Sequence, residues 1–450
     1  MSIGFDYGTA NCSVAVMDGD VARMLPLEET HYFIPSTLCA PTRDSVCEYL
    51  YRFFGIEPAD DLGKQSLRRA IAANRDEGID LEPNDVMFGQ AALDCYLADP
   101  EFVYYVKSPK SFLGANGLHE GQIRFFEDLV CAMMVNIKRQ SELALQQDIR
   151  HTVIGRPVNF QGLKSSRANQ QAEKILYHAA KRAGFSDVVF QFEPVAAGLD
   201  YESQLTEDKT VLVVDIGGGT TDCSLLRMGP SYRMRIDRQE SLLSHSGSRV
   251  GGNDLDIHLA FHRLMAEFGK DSVQQRGIFM PTSQFWNPIA INDVAAQTNF
   301  YTAGNRKVLE QLKKDALVPE LIDRLLTVYD QKLGYQIVLH AEQAKIAMSQ
   351  QNECMSTLNL GTTIIETTFT QDQLEEAIVT PVNKMVELIH DVLMQSSDKP
   401  DVIYMTGGSA RSPILRAIVE KELPDVPIVS GNYFGSVTAG LARYAQKVFQ

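Results

Sequence analysis

Short apolar runs of strand length alternate along this chain with longer amphipathic stretches, and the alternation predicts an α/β protein. Ser2 to Phe5, Ser13 to Val16, His151 to Gly155, Val188 to Phe192, Thr210 to Val214 and Cys223 to Leu226 read as strands. Asp401 to Thr406 reads as another, running into the turn Gly407-Gly408. Ala168 to Gly184 has helical spacing, and so has Pro194 to Tyr201, whose proline suits a first helical turn. A last helix-like segment runs from Gly435 to Phe449. Two regions break the rhythm as peripheral insertions do. Residues from about 40 to 100 are charged and helix-rich, and those from about 267 to 335 mix Trp286, several prolines and the charged stretch Arg306 to Asp315.

One pattern is written twice. Phe5-Asp6-Tyr7-Gly8-Thr9-Ala10-Asn11-Cys12-Ser13 aligns with Val214-Asp215-Ile216-Gly217-Gly218-Gly219-Thr220-Thr221-Asp222-Cys223-Ser224 once two extra glycines are allowed in the second. Each is a strand, a glycine turn and a strand. A single copy reads equally well as an ordinary hairpin, but the repetition points to a duplicated domain. Glycine tolerates the positive φ that turns successive N–H groups toward one anion, so two such turns predict a phosphate clamp with two jaws.

The length of 450 residues implies more than one core, and the 44% hydrophobic content is that of a globular protein. The net charge of −15 argues against a nucleic-acid backbone or an anionic membrane as partner. Seven cysteines without a Cys-x-x-Cys pair, no basic-apolar leader at Met1 and no apolar run near 18 residues lead to the expectation of a reduced, cytoplasmic protein. Neither G-x-x-x-x-G-K-[ST] nor G-x-G-x-x-G occurs. His258 and His262 stand four apart, which an amphipathic surface helix explains better than a metal site.

Further motifs resemble the actin, sugar kinase and heat-shock chaperone ATPase superfamily, and within it the ATPase domain of DnaK-type chaperones. Ile3 to Val16 and Val214 to Leu225 resemble its two phosphate motifs. Glu193 to Leu199 and Phe434 to Ala442 are similar to its connecting helices, and Thr406 to Pro413 to its adenosine motif. Arg249 to Asp256 resembles the chaperones' Gly-Gly-x-Asp-Phe-Asp element, and Ala341 to Ile346 their purine-facing helix.

The resemblance implies a two-lobed actin-like fold of duplicated ribonuclease-H-like lobes with nucleotide in the cleft. The expected division is lobe I over residues 1–205 with an insertion at about 30–125, lobe II over 206–433 with an insertion at about 254–352, and a C-terminal helix, 434–450, returning to lobe I. It implies ATP or ADP with Mg²⁺ as ligands, Asp6 and Asp215 flanking the hydrated metal. Gly8, Thr9, Ala10 and Asn11 would face the phosphates from one side, and Gly217, Gly218, Gly219, Thr220 and Thr221 from the other. Lys107 is preferred as the lysine that reaches the γ-phosphate, with Lys110 its near competitor; Glu193 would stand beside the lytic water and Thr220 orient it. Glu342 and Lys345 would bind ribose, with Gly407, Gly408, Ser409 and Arg411 around the base. Small residues Ala196, Ala197 and Gly198, opposed by Ala439 and Gly440, would form a hinge.

Two positions depart from the family pattern. Ala10 replaces a usual Thr, and Ile346 a residue that is often basic. No peptide-binding domain follows Gln450, so the expected activity is that of a stand-alone bacterial chaperone-like ATPase, slow in turnover and read by an unidentified protein partner or client. A sugar-type kinase and a filament-forming actin-like ATPase are the alternatives.

Overall fold

The computed structural model describes all residues except 29–30, 59, 161–165, 234, 236–240, 361–362, 432–434 and 450. Phe434, at the head of the second connecting motif, therefore lies outside the described residues.

Two sheets of the same connectivity make a two-lobed, actin-like α/β fold. The first contains β1 (Ser2–Tyr7), β2 (Asn11–Asp18), β3 (Val21–Met24), β4 (His151–Arg156) and β5 (Asp187–Phe192) in the order β3-β2-β1-β4-β5, with Phe33–Pro35 pairing off β2. The second contains β6 (Lys209–Ile216), β7 (Thr221–Met228), β8 (Leu242–Ser248), β9 (Val402–Thr406) and β10 (Ile428–Ser430) in the order β8-β7-β6-β9-β10. In both, the first three strands are antiparallel and the last two join in parallel. The register repeats as well: Asp6 faces Ser13 across β1 and β2, and Asp215 faces Asp222 across β6 and β7.

The central strands read as unbroken apolar runs because both of their faces are covered. Along β6, Leu212, Val214 and Ile216 enter the core of lobe II, while Val211 and Val213 enter a separate core between the lobes. Along β1, Ile3, Phe5 and Tyr7 fill the core of lobe I. The period of two thus leaves Asp6 and Asp215 on the strand faces turned away from the lobe cores.

Two helices lie between the sheets and exchange sides. The first crossing helix, Glu193–Glu202, packs on β6 and β7 of lobe II, and the second, Ser436–Val448, packs on β1, β2 and β4 of lobe I. A Cβ on Gly440 would sit 1.7 Å from the Ala196 carbonyl oxygen, so only glycine permits this crossing. Gly198, expected to face the other helix, instead lies against Met228 of β7.

Around residues 40 to 100 the helices Ser45–Phe54, Asp61–Asp76 and Gly89–Ala98 pack with a small sheet of Thr37–Ala40, Met87–Phe88 and Tyr104–Lys107. The His258 region is not one regular surface helix. An α-helix over Gly252–Leu259 widens into a π-turn over Ala260–Leu264, and His258 is half-buried against Trp286 at 5.2 Å. Burial lowers the His258 pKa to about 4, with His262 adding to the shift. Among the described residues no three His, Cys, Asp or Glu side chains are grouped to hold a metal, and all seven cysteines are free.

Candidate functional site

The two glycine turns close the bottom of a cavity of about 380 Å³ between the lobes, lined by Asp6, Gly8, Thr9, Ala10 and Asn11 on one side and Asp215, Gly217, Gly218 and Thr220 on the other. The turns touch. A Cβ on Gly218 would come within 2.6 Å of the Ala10 Cβ, and one on Gly219 within 2.5 Å of the Thr9 Cγ2. This corrects the reason expected for the glycines. Gly8, Gly217, Gly218 and Gly219 do not have positive φ; close approach requires glycine at Gly8, Gly218 and Gly219, whereas Gly217 has room for a Cβ, and the positive-φ glycine of the site is Gly407, at φ 87°.

Both turns are held from behind in the same way. In lobe I, Ser36 donates its N–H to the Ala10 carbonyl and its hydroxyl to the Gly8 carbonyl, at 2.8 and 2.7 Å. In lobe II, the N–H groups of Gly252 and Asn253 donate to the carbonyls of Gly217 and Gly218, at 2.9 and 2.7 Å. The N–H of a trans peptide points opposite to its carbonyl. Tying back these carbonyls therefore turns the N–H groups of Thr9, Asn11, Gly218 and Gly219 away from the tethers. Ser36 carries no motif signal and could not be selected from the sequence.

Of the two candidate lysines, it is Lys110 that stands beside Glu193. It is 3% exposed, and its Nζ lies 2.5 Å from Glu193 Oε1 and 3.4 Å from the Gly155 carbonyl. Burial alone lowers its pKa, but Glu193 and Asp6 outweigh that and raise it. Lys107 points elsewhere, with its Nζ 2.7 Å from Glu342 Oε2 across the cleft. The strand Tyr104–Lys107 ends at Ser108, which is left-handed at φ 57°, and a single 3₁₀ turn over Pro109–Phe112 then redirects the chain. That bend separates the two lysines.

Four carboxylates surround this one buried ammonium. Burial, then Glu193, raises the Asp6 pKa to about 7, and Lys110 only partly offsets them. Asp215 is raised well above the usual carboxylate range by burial and by Glu193, Asp222 and Asp6. Asp222 is raised to about 8 by burial and Glu193, although it accepts the Val158 N–H at 2.7 Å and a bond from Thr220. These carboxylates are not grouped to coordinate a metal directly, but their mutual repulsion is of the kind that a hydrated divalent cation beside them would relieve. Asp222 belongs to the quoted motif, but nothing in the sequence marked it as part of the charge cluster.

Residues 105–277 match the family model described as Hsp70 protein. The match spans Lys107, Lys110, Glu193, the second glycine turn and Gly251 to Asp256. It supports an ATP-binding, chaperone-like ATPase of the actin-like and Hsp70 kind. The first glycine turn, the Glu342 helix and the Thr406 turn lie outside it, and it is the fold that brings them to the same cavity.

At the far end of the cavity stand Glu342, Lys345 and Ile346 of the helix Gly334–Ala347, opposite Gly407, Gly408, Ser409 and Arg411. Lys345 Nζ lies 2.7 Å from Asp256 Oδ1, so Glu342 and Lys345 belong to a chain of alternating charge, Lys107–Glu342–Lys345–Asp256. Burial raises the Glu342 pKa, but Lys107 and Lys345 bring it below the usual value. Ile346 is 58% exposed at the lip. Thr221 faces away from the cavity, its hydroxyl donating to the Val250 carbonyl at 2.8 Å.

Proposed function

We propose that the protein binds ATP with Mg²⁺ in the interlobe cleft and hydrolyses it slowly, and that a protein partner reads the resulting change in lobe angle. The observation that carries this reading is the meeting of two back-tethered glycine turns over a buried Lys110–Glu193 pair, with Asp6 and Asp215 at the turn mouths. Phosphoryl transfer to water depends on positioning and charge neutralisation, and this arrangement offers both.

In this reading the N–H groups of the two turns face the β- and γ-phosphates, and Lys110, rather than Lys107, neutralises charge developing on the γ-phosphoryl group. Asp6 and Asp215 would hold Mg²⁺ through its water shell, where the ion supplies further neutralisation of the phosphates. Glu193 holds Lys110 through Oε1 and accepts a proton from the lytic water. The Thr220 hydroxyl is bonded to Asp222, so its oxygen is left to orient that water. Glu342 and Lys345 take the ribose, and the Gly407-Gly408 turn with Arg411 takes the base. The division near residue 205 and the return of the C-terminal helix to lobe I are part of the same assignment. A net charge of −15 supports a protein partner over nucleic acid or an anionic membrane.

Phosphate release from purified protein, measured with ATP and Mg²⁺ and then with a panel of sugars and polyols, tests the reading. Slow, chelator-sensitive release independent of the panel is expected. ADP production that depends on an added sugar would establish a small-molecule kinase instead.

A further inference from the structure

The second crossing helix carries two buried hydroxyls, at Ser436 and Thr438, to which its motif gives no role. We propose that Ser436 and Thr438 are positioning residues, one for each half of the cleft, which together set the spacing of the Asp6 and Asp215 strands. Thr438 Oγ1 lies 2.6 Å from Ser13 Oγ, and Ser436 Oγ lies 2.5 Å from Thr406 Oγ1. All four residues are buried, none more than 1% exposed.

Their places in the sheets give these bonds meaning. Ser13 is the register partner of Asp6 on β2, and Thr406 is the register partner of Asp215 on β9. Thr406 also leads into Gly407, whose added Cβ would come within 2.6 Å of Asp215 Oδ1. Strand parity puts each hydroxyl on the face that carries the aspartate, turned away from the lobe core. On the helix, residues two apart diverge by about 200°. One hydroxyl therefore reaches each lobe, and Val437 between them lines the cavity floor. The helix body rests on lobe I, so the Ser436 bond ties lobe II to that frame. Apolar packing could hold the helix at many small rotations, but a pair of buried hydroxyl bonds accepts one.

The assignment of consequences to catalysis rests on the ATPase reading above, but the spacing itself does not. Hydrogen exchange on the ligand-free protein tests it directly. Thr438→Val is expected to speed exchange about tenfold in peptides covering residues 5–16 and to leave those covering 401–410 unchanged, with Ser436→Ala doing the reverse. Thr438→Ser should restore protection. Should a single variant fold poorly, the pairs Ser13→Ala with Thr438→Val and Thr406→Val with Ser436→Ala remove both members of each hydroxyl bond and carry the same expectation, with Tyr404→Phe added to the second pair because the Tyr404 hydroxyl also interacts with Ser436. Equal changes in both segments, or none in either, overturn the proposal.

The kinetic counterpart is a split. Thr438→Val should lower kcat about tenfold with little change in KM, whereas Ser436→Ala should also raise KM, because Thr406 leads into the base-side turn. A wild-type protein without ATP hydrolysis would remove the ATPase reading and leave the exchange result to decide the spacing.

Discussion

At the scale of the residue, two lysines three apart show what a linear motif leaves open. Either Lys107 or Lys110 satisfies the spacing, and only the left-handed Ser108 and the short 3₁₀ turn send one to Glu342 and the other to Glu193. Lys110→Ala is expected to lower kcat by about two to three orders of magnitude, as for loss of one electrostatic stabiliser. Lys107→Ala should change kcat less than about threefold and act on nucleotide release instead; the opposite ranking in steady-state phosphate release would reverse the assignment. The carboxylate cluster makes a second prediction. Below the ordinary carboxylate pKa, Asp6 and Asp222 are neutral in both folded and unfolded chains, and the stability linked to their raised pKa is fully present. As pH rises through about 7 and 8 the folded protein must ionise them against their neighbours, so that stability is lost. The melting temperature of ligand-free protein should therefore fall by on the order of 5 °C between pH 6 and 8.5, and Mg-ATP should flatten the fall. A melting temperature that climbs across this window would contradict the charge arrangement.

At the scale of the element, the strands were legible because burial of both faces leaves unbroken apolar runs, and β1, β2, β6 and β7 contain the runs read from the sequence. The duplicated turns were legible for the same reason, since their flanks repeat. The reason for their glycines was not. Positive φ is a local property and was the natural expectation, but the turns are glycine-rich because Ala10 and Thr9 of one jaw press against Gly218 and Gly219 of the other. Contact between segments two hundred residues apart has no local signature. The same holds for Gly440, which meets the Ala196 carbonyl only when the two crossing helices meet. Gly440→Ala should destabilise the protein by about 2–3 kcal/mol, a cost of overpacking against backbone that cannot withdraw. Chemical denaturation checks this, and a loss below about 0.5 kcal/mol would mean that the crossing is looser than described.

At the scale of the whole molecule, the lobes are closed over the cleft by contacts both away from the glycine turns and beside the second of them. Tyr96 and Tyr105 of lobe I pack against Tyr335 of lobe II, with ring centroids 5.8 and 5.2 Å away, and the Tyr96 hydroxyl donates to the Lys332 carbonyl at 2.6 Å. Lys332 in turn donates to the Glu101 carbonyl, and Asn253 to the Ser108 hydroxyl. Tyr335→Ala should open this closure and speed nucleotide release about tenfold, equivalent to about 1.4 kcal/mol of aromatic contact. Stopped-flow release of a fluorescent nucleotide measures it, and an unchanged rate would assign the closure to the polar cross-lobe contacts, the Lys107–Glu342 pair among them, instead of the tyrosines. The sequence by itself determined the α/β plan with its duplicated glycine turns and most of the residues that line the one cleft, because strand periodicity and short glycine motifs are local and survive in linear order. Tertiary structure alone decided which lysine faces Glu193, why the turn glycines are glycines, that Ser36 and Gly252-Asn253 brace the two turns, and that Ser436 and Thr438 reach the strands of both aspartates. Each of these is a contact between distant segments, set by packing distance and burial, which residue order does not encode.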